Sequence, residues 1–433
     1  MTLQHHLAHA EDAQLREIVA LVDSLPRRGP TDAIIAPLRG RLLRLRPARR
    51  LHVGRLIFVP ADRVIVPATS WRRGMVAVPR HALTCLTLLV RQAMGQDYAT
   101  LANQVDGTMS DDSEAILRHG RTLWPRAAAI LAHAQMPPEW PSMTGLGLAD
   151  FTAIARPLAI LLGEAVTIEE LLQRGSAEDF AARAIRQSLN RALAAIAALP
   201  EAGDAALSKA CLGLLLCVCL DRLPDSEIAL IAAGDLARSS DSTTPRLAAD
   251  AAIDAALDQA EENFSHPNAA PALADVQRLA ALLDTLEQPG PAGRPSRKPR
   301  VMALRRALTA HCRSRFTFEL SSHLLPGLFQ LDQTPQADAL LAMEAAARTL
   351  RTLAAMERQA SGMTQLEQQV ADCAKSLPTL APQARRVDLA RLVEILQGSE
   401  AALAMLDLPD NTSHAPMCAQ EVATSHRACA LQP

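Results

Sequence analysis

Arginine is the residue type in this sequence whose density and spacing can do chemistry. Arg39, Arg46, Arg49, Arg50 and Arg55 crowd one stretch, and between positions 33 and 96 the lone acid is Asp62. A guanidinium presents its N–H donors as a planar fork that matches a carboxylate or a phosphate. A surface of such groups attracts an anionic partner, with an affinity that falls as salt rises. A second group, Arg297, Lys298, Arg300, Arg305 and Arg306, follows a Pro/Gly-rich segment, and no acid occurs between Pro289 and Phe318. Both groups have two fates open to them. They can meet an outside anion, or they can dock on the acid-rich middle of the same chain, between positions 150 and 262.

Imidazole and thiolate are the next reactive types. His414, Cys418, His426 and Cys429 are zinc-ligand types within one short segment, but their order matches no common finger and the segment has no glycine for turns. These four are the weak candidate for a metal site, and no metal or cofactor is assigned. His5, His6 and His9 read as an exposed terminus. His81, Asp97, Tyr98 and His119 are polar groups that an enzyme with a dispersed site would draw on. No nucleophile elbow, phosphate-binding glycine loop, paired zinc histidines or Cys-x-x-Cys is present. Gly145-Leu146-Gly147 lacks the third glycine of a dinucleotide loop. No catalytic residue is therefore named, and the reading leans away from an enzyme.

Composition narrows the partners. Aromatic residues make up 3% of the chain, too few for the stacking platforms that hold single-stranded nucleic acid. The formal charge of −2 at pH 7 hides the contrast between the basic start and the acidic middle. The cysteines are irregularly spaced, which suits reduced thiols and a cytoplasmic setting. The longest apolar run, residues 210–220, is too short to cross a bilayer and reads as a buried helix.

The elements that must position these groups are helices. Alanine and leucine dominate, and apolar residues recur at helical spacing over most of the length. The expected class is mainly α, a multi-helix bundle or array. The exception is LIFVPADRVIVP, whose short apolar runs around Pro60-Ala61-Asp62 read as two strands in a small β-hairpin or clasp near residues 51–79. Five regions follow: a basic N-terminal helical region with the β element (1–140), a helical bundle or array (148–287), a basic Pro/Gly-rich linker (288–300), a C-terminal helical region (301–408) and a disordered tail (409–433). Helices are expected near 9–25 and from Thr31-Asp32 to Pro47, both outside the residues the structure describes, and near 80–94, 110–134, 149–163, 167–174, 177–199, 204–222, 224–238, 245–263, 270–287, 301–312, 317–325, 334–376 with a break at Ser361-Gly362, and 383–406. Pro125 is expected to kink or break its helix.

Many amphipathic helices, no catalytic signature and strong charge asymmetry point to a non-enzymatic scaffold or adaptor that meets an acidic protein partner through its N-terminal arginines. The alternative is an electrostatic nucleic-acid-binding or regulatory protein. Oligomeric state does not follow from the sequence.

Overall fold

The computed structural model describes residues 50–174, 178–223, 226–239, 243–265, 271, 273–287, 294–333, 337–382 and 384–406. These residues are mainly helical, and strand is limited to two pairs of residues. They fall into two compact units. The first runs to His311 and includes Gln359–Gly362; the second holds Cys312–Arg358 and the residues from Met363 onward. The loop near residue 140 joins helices of one unit.

The first unit begins with helix α1 (Val53–Phe58), which runs into a 3-10 turn (Val59–Val64) and strand β1 (Ile65–Val66). Strand β2 (Val78–Pro79) pairs with β1 in parallel, Ile65 opposite Val78. This is the clasp, and it corrects the hairpin: most of the expected first strand is helical. A half-buried strand alternates its faces, whereas Leu56, Ile57 and Phe58 are consecutive and all buried. His52 caps α1 by accepting from the Arg55 amide at 3.1 Å, and Pro60, which has no N–H to give a ladder, starts the 3-10 turn instead.

Helices α2 (Ala82–Met94), α3 (Gln96–Val105) and α4 (Ser113–His133) follow. Asp112 caps α4 through the Ala115 amide at 2.9 Å. Pro125 does not break α4. Arg121 and Pro125 lie on its exposed side, where the carbonyl left without a donor faces water. A short helix α5 (Trp140–Thr144) buries Trp140 against Phe151.

Two long helices form the centre. Helix α6 (Leu148–Arg174) is continuous, where two helices were expected. It has the length and mean hydropathy of a membrane span, yet 72% of its apolar window is buried inside the protein. It also carries buried Arg156, Glu164 and Glu169, so it is the core helix of a folded unit. Helices α7 (Glu178–Ala197) and α8 (Ala205–Arg222) pack on it. Asp204 starts α8 by accepting from the amides of Ala206 and Leu207. Helix α8 is apolar on nearly every side because it is covered on nearly every side. Gly213 lets it come close to its neighbours: a methyl there would stand 3.4 Å from Val76 of the clasp and 3.7 Å from the Ala248 carbonyl.

Helices α9 (Ser226–Ser239), α10 (Thr244–Ser265) and α11 (Leu273–Glu287) complete this part. The expected linker is structured where it is described. Residues Pro295–Arg297 form a 3-10 turn, and helix α12 (Lys298–Glu319) starts at once. The reason is electrostatic: buried Arg297 is fixed by two aspartates of α10.

In the second unit, α12 passes through a π turn (Leu320–Leu324) into α13 (Leu325–Gln333), replacing two separate expected helices. Helices α14 (Ala337–Ser361) and α15 (Gln365–Leu380) are separated at Gly362, as the sequence suggested. Helices α16 (Arg386–Gln397) and α17 (Ser399–Leu406) part at Gly398, where one helix was expected. Fully buried Glu357 accepts from Arg313 at 2.5 Å and from the Leu366 amide at 2.8 Å.

Candidate anion-binding surface

The clasp brings the first arginines onto the helical core. Trp124 of α4 donates its indole N–H to the Leu56 carbonyl at 2.9 Å, which holds α1 in place. Trp71 donates to the Ala77 carbonyl at 3.1 Å and closes the loop between the strands. The Arg80 amide donates to the Val66 carbonyl at 2.9 Å, so Arg80 leaves the clasp beside the 3-10 turn. That turn packs against α6 and α8.

Below the turn lies a charged layer. Arg222 forks onto Glu169, with contacts of 2.5 and 3.0 Å, and points Nη1 at the Pro60 carbonyl 3.5 Å away. Arg63 reaches Asp221 at 3.7 Å and Asp275 at 3.8 Å, both too long for hydrogen bonds. Arg278 pairs with Asp275. The Asp221 Oδ2 atom is buried without a hydrogen-bond partner among the described residues. Burial pushes the Asp221 carboxyl above the usual carboxylate range, and Arg63 and Arg278 pull it back only in part.

Above the layer, Asp62 is exposed, yet protein crowds round its carboxyl and raises its pKa. Arg55, Arg222, Arg80 and Arg63 act against that rise, in that order of strength. Arg55 is half-buried; Arg50, Arg63 and Arg80 are exposed. Arg50 forms an isolated bridge with Met109. Arg39, Arg46 and Arg49 lie outside the described residues.

The second arginine group is arranged differently. Arg297 is 5% exposed. It contacts Asp254 at 2.7 Å, Asp250 at 3.1 Å and the Asp250 carbonyl at 2.9 Å. Arg294 also pairs with Asp250. Arg300 takes Glu261 at 2.6 Å and Asp258 at 2.5 Å, and these bonds push its already high pKa further up. Arg305 binds Asp284 at 2.6 Å and Glu287 at 2.8 Å. The forks of Arg297, Arg300 and Arg305 are engaged by carboxylates of α10 and α11. Lys298 and Arg306 stay exposed beside them.

The same device recurs between other helices. Arg156 forks onto Glu201 and donates to the Leu131 and Ala134 carbonyls at the end of α4. Its hydrogen bonds hold the Glu201 carboxyl below the usual range. Arg191 and Ser188 satisfy buried Glu164. Fork geometry thus joins helices throughout the described chain, which is one use for a basic complement made almost wholly of arginine.

Among the described residues no hydrogen bond or ion pair joins the four groups of the dispersed enzyme set. Asp97 pairs with Arg126 at 2.7 Å, and Tyr98 lies under Arg91 at 6.0 Å. The imidazole atoms His81 Nδ1 and His119 Nε2 are buried without hydrogen-bond partners among the described residues. A shallow groove of about 530 Å³ is lined by Leu89, Ala93, Ile130 and His133, and by none of those four. Cys211, Cys217 and Cys219 are pushed up to about 12 by burial, so they stay as thiols within α8. Among the described residues no group of histidine, cysteine and carboxylate side chains could hold a metal ion. His414, Cys418, His426 and Cys429 lie outside those residues, as do His5, His6 and His9.

Sequence reasoning missed Glu169, Asp221, Arg222 and Asp275, which support the turn. Their signal is spatial: Arg222 and Pro60 are 162 positions apart. No family model, curated protein or solved structure matches the chain.

Proposed function

We propose that the protein is a non-enzymatic helical scaffold or adaptor of the cytoplasm, which binds an acidic protein partner through the arginine surface of its N-terminal region. The observation that supports this reading is the state of Arg55 and Arg80. Neither side chain closes an ion pair or a hydrogen bond among the described residues, although both stand close enough to Asp62 to lower its pKa. Most arginines deeper in the helical body are already committed. Free forks on a rigid base are what an acidic peptide needs.

The test is fluorescence anisotropy of the full chain with labelled poly-glutamate peptide and, in parallel, labelled duplex DNA. Measurements at about 50 mM and about 200 mM salt expose the electrostatic share of binding. The expected result is peptide binding that weakens with salt and drops further in Arg55→Gln/Arg80→Gln. Absence of peptide binding at low salt overturns the reading, and DNA binding alone replaces it with the nucleic-acid alternative.

A further inference from the structure

Three large apolar side chains stand outward at one place in the second unit: Phe329 on α13 and Leu341 on α14, each 58% exposed, and Val387 on α16, 69% exposed. Such side chains scattered singly need no explanation, but these three belong together. Helices α13 and α14 meet where a methyl on Gly327 would stand 2.5 Å from Met343 Cγ. The end of α13 at Gln333 and the start of α14 at Ala337 are close in sequence, so the two helices run back along each other. Phe329, two residues on from Gly327, therefore sits level with Leu341, two residues before Met343. Helix α16 is tied to α14 by Arg391 to Glu344 at 2.5 Å and by Arg351 to the Ile395 carbonyl at 3.0 Å. The ties advance together, so α14 and α16 run in the same direction. Leu341 precedes Glu344 by three residues and Val387 precedes Arg391 by four, each one turn away on the same helix face.

The charges beside this patch are sorted by depth. Next to it, the carboxylates of Glu344 and Asp388 are buried. Their partners are exposed: Arg348 and Arg391 both engage Glu344, and Arg385 forks onto Asp388 at 2.8 and 2.9 Å. What shows outward is an apolar centre with guanidinium groups beside it, two of them sharing the one carboxylate of Glu344. We propose that Phe329, Leu341 and Val387 form a docking surface for an acidic amphipathic helix of another protein. The apolar face of that helix covers the three side chains, and its glutamates take the outer donors of the arginines. A second copy of this chain fits less well. A two-fold contact sets each patch against itself, and arginines then oppose arginines across the seam. The surface is separate from the N-terminal arginines, so either can fail without the other.

The experiment uses the full chain at low salt with two labelled probes read by anisotropy. One is a leucine–glutamate peptide patterned as an amphipathic helix of about 18 residues. The other is poly-glutamate, which has the charge without the apolar face. The first peptide is expected to bind, and Phe329→Gln/Leu341→Gln to weaken it about tenfold while leaving poly-glutamate binding unchanged. Arg348→Gln, which leaves Glu344 paired with Arg391, is expected to weaken the first peptide about threefold and to flatten its salt dependence. Ile231→Gln removes an exposed apolar side chain of the first unit and is expected to change nothing. Thermal unfolding checks that each variant is folded. If wild type does not bind the leucine–glutamate peptide, or the folded double variant binds it equally well, the docking surface is overturned. The function proposed above is then judged on poly-glutamate alone. A wild-type dimer that the double variant converts to monomer in sedimentation velocity assigns the patch to a second copy and overturns the proposal too.

Discussion

The two arginine groups look alike in sequence and have opposite situations in the fold. Arg294, Arg297, Arg300 and Arg305 meet a ladder of acids: Asp250, Asp254, Asp258 and Glu261 on α10, then Asp284 and Glu287 on α11. Those acids recur every three or four residues, so they line one helix face against the arginines of α12. Arg55, Arg63 and Arg80 meet no such ladder. Arg63 has the long pairs to Asp221 and Asp275, and Arg55 and Arg80 close no ion pair among the described residues. Charge density sets the field of a segment; whether that field is consumed depends on the spacing of acids far away in the chain.

The sharpest way to break this contrast is Arg297→Ala. The substitution leaves Asp250, itself 8% exposed, without its buried partner. Losing one member of a buried pair costs about 3–5 kcal/mol. Urea unfolding is expected to show that loss, with acidic-peptide affinity unchanged in the protein that remains folded. A small stability change together with weaker peptide binding would place the second group with the first.

A smaller effect is expected at Gly120 of α4. An added methyl would run into the ring of Trp124, which is fully buried and fixed by its bond to the Leu56 carbonyl. Overpacking of this kind costs about 1–3 kcal/mol. Trp124 positions α1 and hence Arg55, so Gly120→Ala is expected to lower both the melting temperature and peptide affinity. Arg297→Ala is expected to lower stability alone. Identical behaviour of the two variants would deny that the clasp is held by α4.

How far the sequence could carry these distinctions depends on distance along the chain. Helices α7 and α8 were readable to within a few residues, because apolar periodicity and the turn at 200–203 are local signals. The clasp was misread because Leu56, Ile57 and Phe58 suit a strand by type, and only burial on every side makes them helical. Helix α3 was missed; it is short, largely exposed and rich in polar residues. At the surface, Asp62 was visible as an isolated acid. Its link to Arg222, Glu169 and Asp221 required knowing that the turn rests on α6 and α8. The acid ladder of α10 was legible in principle, since its spacing is helical.

The smallest effect separates the two layers beneath Asp62. Asp221 and Glu169 are both acids under the turn, yet Glu169 is forked by Arg222 while Asp221 has a buried oxygen with no hydrogen bond among the described residues. Burial raises the Asp221 pKa in the folded protein. In the window between the unfolded and the raised folded value, the folded state binds more protons than the unfolded state, so stability falls as pH rises through it. Above that window ionised Asp221 is a net cost, and acidification removes the cost. Asp221→Asn is therefore expected to be as stable as wild type at neutral pH or slightly more so. The gain should not exceed about 1 kcal/mol, because the side chain is about a third open to solvent and its charge is screened there. The difference in melting temperature between variant and wild type should shrink as pH is lowered through the window. A variant clearly less stable than wild type at neutral pH would mean that the long contact to Arg63 and the nearby charge of Arg278 outweigh burial. The first arginine group would then be partly consumed from within, as the second one is.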